Sequence, residues 1–87
     1  SINYSPAAAL NRIFALYKVK GAKIALAAIK TLQFEDNHFY FMLLGELYRE
    51  LDKNKAIANF KTAKSLAKTA VEKETIQQKI DILLGLR

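Results

Sequence analysis

Phe41-Met42-Leu43-Leu44-Gly45-Glu46-Leu47-Tyr48 is followed, after a polar break, by Ala56-Ile57-Ala58-Asn59-Phe60-Lys61-Thr62-Ala63. Phe41, Leu44 and Tyr48 stand three and four residues apart, and Ala56, Phe60 and Ala63 four and three apart. Each segment therefore reads as a helix with one packing face. Gly45 and Ala56 are the small positions at which the two helices of a hairpin come close. Large residues there would hold them apart.

Working outward, Leu10-Asn11-Arg12-Ile13-Phe14 aligns with Leu44-Gly45-Glu46-Leu47-Tyr48 at an offset of 34 residues, with Asn11 in the place of Gly45. That offset is the tetratricopeptide (TPR) period. The small residue of the first copy's second helix is Ala22 or Ala25. Asp52-Lys53-Asn54 reads as a tight turn, one residue shorter than is usual for the repeat.

The remaining boundaries follow from local signals. Ser5-Pro6 starts a first helix, since Ser accepts from a free N–H and Pro fits the first helical position. Leu10, Ile13, Phe14 and Tyr17 form its apolar face, and Gly21 ends it, with Lys18 and Lys20 in the last turn. A second helix runs from Ala22 to about Leu32 on Ile24, Ala25, Ala28, Ile29 and Leu32. Asp36 or Asn37 caps a third, His38 to Leu51, whose opening Phe39-Tyr40-Phe41-Met42-Leu43-Leu44 is apolar all round, as in a central helix. A fourth runs to about Lys68 with Ile57, Phe60, Ala63, Leu66 and Ala67 inward. Thr69-Ala70-Val71-Glu72 is a capping box for a fifth, which carries Ile76, Ile80, Leu83 and Leu84. The expected fold is all-α: antiparallel helix hairpins in a TPR-like right-handed superhelix of about five helices. Residues 1–87 form one domain, with repeat one at about 5–33, repeat two at about 37–68 and a capping helix at about 70–86.

Composition agrees with this reading. The 87 residues are 52% hydrophobic, with three Gly and one Pro. A chain of short strands would need more turn residues. There is no Cys, so disulfide and thiolate chemistry are excluded and a reducing cytoplasm is expected. No run approaches the roughly 18 apolar residues of a membrane span. The opening Ser1-Ile2-Asn3-Tyr4 is no signal peptide, and its lack of an initiator Met suggests a piece of a longer chain.

Catalytic constellations are not visible: no Ser-His-acid set, glycine-rich phosphate loop or paired carboxylates stand out. No catalytic residue, cofactor or metal site is expected. His38 beside Glu35 and Asp36 supplies too few ligands for zinc and reads as an exposed residue at a helix start. Net charge is +6. Lys61, Lys64 and Lys68 on the fourth helix, and Lys23 and Lys30 on the second, read as solvated outer faces, with a phosphate-binding patch as the alternative. No aromatic residues alternate with them to stack on bases.

In TPR hairpins the first helix of each repeat lines a concave groove. With Leu44, Gly45 and Tyr48 facing the hairpin, the groove positions are Phe39, Met42, Leu43, Glu46, Arg49 and Glu50. The 34-residue offset adds Arg12, Ala15 and Leu16. Aromatic residues, Met and Arg are the types enriched at protein interfaces. An uncovered apolar groove also implies weak self-association.

Ser5-Pro6-Ala7-Ala8-Ala9-Leu10-Asn11-Arg12 resembles the SP-x-x-x-LNRA opening of the C-terminal extension of one group of extracytoplasmic-function (ECF) sigma factors. Gly21 to Ile29 is similar to the glycine and small-residue helix that follow there, His38 to Leu51 to its aromatic Glu-Leu helix, and Ala56 to Leu66 to its A-x-x-x-Y/F-x-x-A-L-x-L helix. Lys68 to Ile80 resembles the ending T-x-N-P-A-E-R-x-x-L-x-x-R-L, with Thr69 at the cap position and Glu72 kept; Ala70 replaces the Pro, and Lys73 and Thr75 differ in chemistry. The likeness covers nearly the whole chain. It implies a non-enzymatic, cytoplasmic domain that regulates transcription initiation through protein contacts, with other sigma regions, RNA polymerase or a regulator as partners. DNA would be contacted only by regions upstream of residue 1. The competing readings are a TPR-type adaptor unrelated to transcription and a basic helical nucleic-acid binder.

Overall fold

A computed structural model describes residues 6–34 and 36–86. Ser5, the expected first cap, and Glu35, beside His38, lie outside them. The described residues form five helices and no strand: α1 (Pro6–Lys20), α2 (Ala22–Ile29), α3 (His38–Tyr48), α4 (Lys53–Leu66) and α5 (Ala70–Leu84). The all-α fold and its five helices are those read from the sequence.

Local chemistry sets the joints. Gly21 follows α1 with φ +95°, a conformation in which a side chain would be strained. The Asn37 side chain accepts from the Phe39 N–H at 2.9 Å and caps α3. Thr69 accepts from the Glu72 N–H at 3.1 Å while the Glu72 carboxylate accepts from the Thr69 N–H at 3.0 Å, completing the capping box.

Four helices are shorter than expected, α5 among them: it ends at Leu84, with Gly85 in the left-handed conformation (φ 78°). α2 stops at Ile29 rather than Leu32, because Thr31 and Leu32 donate to carbonyls three residues back and the Thr31 hydroxyl caps the Ala28 carbonyl at 2.7 Å. Such bonds tighten and end a helix. α3 stops at Tyr48, whose carbonyl accepts from both Leu51 and Asp52. Asp52-Lys53-Asn54 is therefore not the turn: Asp52 caps α4, accepting from Lys55 N–H at 3.1 Å, and Lys53 and Asn54 are already helical. α4 ends at Leu66, where Ala67 turns to an extended conformation.

The core has two parts. One gathers Leu10 and Ile13 of α1, Ala25, Leu26 and Ile29 of α2, and Tyr40, Leu43, Leu44 and Leu47 of α3. The other gathers Ala56, Phe60 and Ala63 of α4, Ala67, and Ile76 and Ile80 of α5. Phe41 and Tyr48 pack against both, so α3 is the central helix, as its all-round apolar opening predicts. Phe14 and Ile24, read as core residues, are 43% and 50% exposed.

Two pairs of contacts fix direction. Phe60 lies against Gly45 and the Lys55 ammonium lies 5.6 Å from the Tyr48 ring centroid, so α3 and α4 run antiparallel. His38 meets Glu72 and Glu46 meets Lys79, so α3 and α5 run parallel, about one 34-residue period apart. The α5 positions one period beyond Phe41 and Leu44 are Thr75 and Gln78, both exposed. α5 thus carries polar groups at the positions where α3 meets α4 with apolar ones.

Candidate functional site

An open hollow of about 490 Å³ is lined by side chains from α1, α3 and α5. α1 and α3 are each followed by the helix they pair with, α2 and α4, and α5 lies parallel to α3. α3 supplies the floor with Phe39, Met42, Leu43 and Glu46, continued by Arg49 at its C-terminal cap; α1 supplies one wall with Leu10, Asn11, Phe14, Tyr17 and Lys18; Lys79 of α5 completes the lining.

The floor follows from helical spacing. Phe39, Met42, Glu46 and Arg49 recur every three or four residues and form one stripe. Asn37 starts the helix so that Phe39 falls in its first turn, 55% exposed. Leu43 borders the hollow but is buried in the core, 8% exposed. Glu50 is exposed and lies outside the lining.

On α1 the expected residues are displaced. Arg12 and Leu16 do not line the hollow, nor does Ala15; Asn11, Phe14 and Lys18 do. One position on a helix is a rotation of about 100°. α1 turns Leu10 and Ile13 into the core it shares with α2 and α3, and that packing leaves Asn11, Phe14 and Lys18 toward the hollow. Its Lys18 ammonium lies 5.1 Å from the Phe14 ring centroid and 5.7 Å from that of Tyr17, a cation–π arrangement that keeps the charge beside an apolar wall.

Glu46 joins the elements. Its carboxylate lies 2.8 Å from Lys79 Nζ and 3.2 Å from Arg49 Nη1. Burial is the largest single influence on its pKa and raises it, but the hydrogen bonds and charges of Lys79 and then Arg49 together outweigh burial and hold it below the ordinary value. Lys79 is not among the residues to which the sequence points for the groove. Carrying the 34-residue period one step further places 79 and 80 beside 45 and 46, and that was the available signal.

His38 is not the exposed residue expected. Its side chain is 12% exposed, and Nε2 lies 3.1 Å from Glu72 Oε2 without completing a hydrogen bond. Glu72 divides its oxygens: Oε1 caps α5 and Oε2 faces His38. The hydrogen bond from the Thr69 hydroxyl is the main cause of a Glu72 pKa below the ordinary value, with the backbone N–H groups and His38 adding to it. No group of three or more His, Cys, Asp or Glu suited to a metal ion occurs among the described residues. No helix among them is long and apolar enough to cross a membrane.

The arrangement offers groups used in recognition: exposed aromatic rings, a flexible thioether and an arginine beside an apolar floor. Comparison with protein-family models, with curated proteins and with solved structures found no match to this chain.

Proposed function

We propose that this chain is a protein-binding regulatory domain whose working surface is the groove between α1, α3 and α5, and that it serves as the C-terminal extension of a bacterial ECF sigma factor. The groove carries the first half of this reading. Phe14 and Phe39 are 43% and 55% exposed beside Met42 and Arg49, the composition of a protein interface core. The second half is supported by the Ser5–Arg12 opening and its likeness to that extension, and is an analogy of sequence. In such a protein the domain sits in the cytoplasm, makes no covalent chemistry, and adjusts transcription initiation by contacting other sigma regions, RNA polymerase or a regulator.

The parent open reading frame tests the second half directly. A helix-turn-helix region upstream of residue 1 supports it, and its absence leaves a TPR-type adaptor. The first half is tested with Phe39→Glu and Arg49→Glu in the full-length gene product, following promoter-dependent transcription and helicity together. Both side chains are exposed, so the fold is expected to survive and activity to change. A folded double variant with unaltered transcription overturns the groove as the working surface.

A further inference from the structure

Away from the groove, Lys61 and Lys64 of α4 and Lys73 of α5 surround a second hollow of about 440 Å³, completed by Ser65 and Gln77. None of these lining residues is acidic. Lys61 and Lys73 are exposed and enter no ion pair among the described residues. Lys64 is partly buried and fixed: its Nζ donates to Gln77 Oε1 at 2.6 Å, and Gln77 Nε2 donates to Asp81 Oδ1 at 2.8 Å. The relay holds one ammonium at the seam between the helices. The Ser65 hydroxyl proton is committed to the Thr62 carbonyl at 2.7 Å, so the positive charge of the hollow rests on the three lysines.

We propose that this hollow binds a small phosphate-bearing anion of the polyphosphate type. Lysines on one convex helix face spread into solvent, and a solvated face is the ordinary outcome. Here two helices bring three lysines around one concavity with no carboxylate lining it. Their mutual repulsion is relieved by an occupant with two or more negative charges. Ammonium groups act as point charges and suit the phosphate oxygens, whereas a lone carboxylate matches only one of them. No aromatic residue lines the hollow, so it offers bases no stacking platform, which favours a small anion over a nucleic-acid strand. The site stands on α4 and α5 alone and is independent of what the groove binds.

The test is a titration of the 15N-labelled chain with sodium pyrophosphate at low ionic strength, read by amide shifts. Saturable shifts confined to residues 61–65 and 73–77 are expected. Lys61→Ala with Lys73→Ala should weaken binding about tenfold or more, a loss of at least roughly 1.4 kcal/mol, with unchanged helicity. Lys23→Ala with Lys30→Ala should leave it intact. Shifts spread equally over Lys23 and Lys30, or a Lys61/Lys73 variant that binds as tightly, overturn the proposal. A single-stranded oligonucleotide that occupies the same residues more tightly than pyrophosphate also overturns it, in favour of nucleic acid. Vesicles carrying phosphorylated inositol headgroups identify the source: cosedimentation that needs Lys61 and Lys73 assigns the phosphate to a membrane surface, and retained pyrophosphate binding without cosedimentation assigns it to a free anion.

Discussion

A Cβ added to Gly45 would stand 2.6 Å from Cε1 of Phe60, whose ring is completely buried. The absence of a side chain on α3 is what lets α4 lie where it does, because an enclosed ring has nowhere to swing. Gly45→Leu is expected to destabilise the chain by about 1–3 kcal/mol through overpacking, even after the helix-propensity gain of up to roughly 1 kcal/mol on replacing glycine. Thermal melts measure this. Gly45→Ala combined with Phe60→Leu should cost less than the two single changes together, since they share one contact.

Ile76 is wholly buried among Phe60, Ala63 and Ala67, so α5 covers the apolar side of α4. Ile76→Ala is expected to cost about 2–5 kcal/mol by leaving a cavity. Removing residues 70–87 should do more, turning the chain into an aggregating or unfolded species in size-exclusion chromatography. A truncated chain that stays monomeric with the same melting temperature would show that α4 does not need this cover.

Thr69 and Glu72 cap α5 reciprocally, and Thr69→Ala should cost about 1 kcal/mol while Thr69→Ser retains most of the cap. The pH dependence has a defined sign. Glu72 and Glu46 both have folded pKa values below the ordinary one. Their contributions are complete above the ordinary glutamate value and disappear as pH falls through the lowered folded values. Urea midpoints should therefore drop on acidification below the ordinary value, and drop less steeply in Glu72→Gln and Glu46→Gln. Identical acid limbs in all three proteins would refute the linkage.

Phe39 is half-exposed on the groove floor and Phe60 is enclosed in the core. Phe39→Ala should change stability by no more than about 0.5 kcal/mol, while Phe60→Ala should cost about 3–5 kcal/mol. Paired melts of the two variants separate a residue that holds the fold from one left over for recognition. A Phe39 variant as unstable as the Phe60 one would place Phe39 in the core and remove the groove's largest apolar contact.

The order and type of the helices were legible because they rest on near-neighbour chemistry. Asn37, the Thr69–Glu72 box and the spacing of Leu44, Tyr48, Ala56 and Phe60 act over three or four residues, a range that any single segment displays. The helix ends at Ile29, Tyr48 and Leu66 were less legible, since the competing turn bonds of Thr31 and Asp52 offer the backbone an alternative of similar strength.

Only the tertiary structure decided which sides of those helices meet. On α3 the groove stripe was largely readable, because a partner on the α4 side leaves Phe39, Met42, Glu46 and Arg49 on another. On α1, the packing of Leu10 and Ile13 against α2 and α3 turned Asn11, Phe14 and Lys18 to the groove in place of Arg12 and Leu16, a rotation that the 34-residue offset does not predict. The same holds for His38 against Glu72, Lys79 against Glu46, and Lys73 beside Lys61 and Lys64. These charges lie on different helices. Their pairing depends on the parallel register of α3 with α5 and on the packing of α5 against α4, which are set by the shapes of the buried faces rather than by the charges themselves.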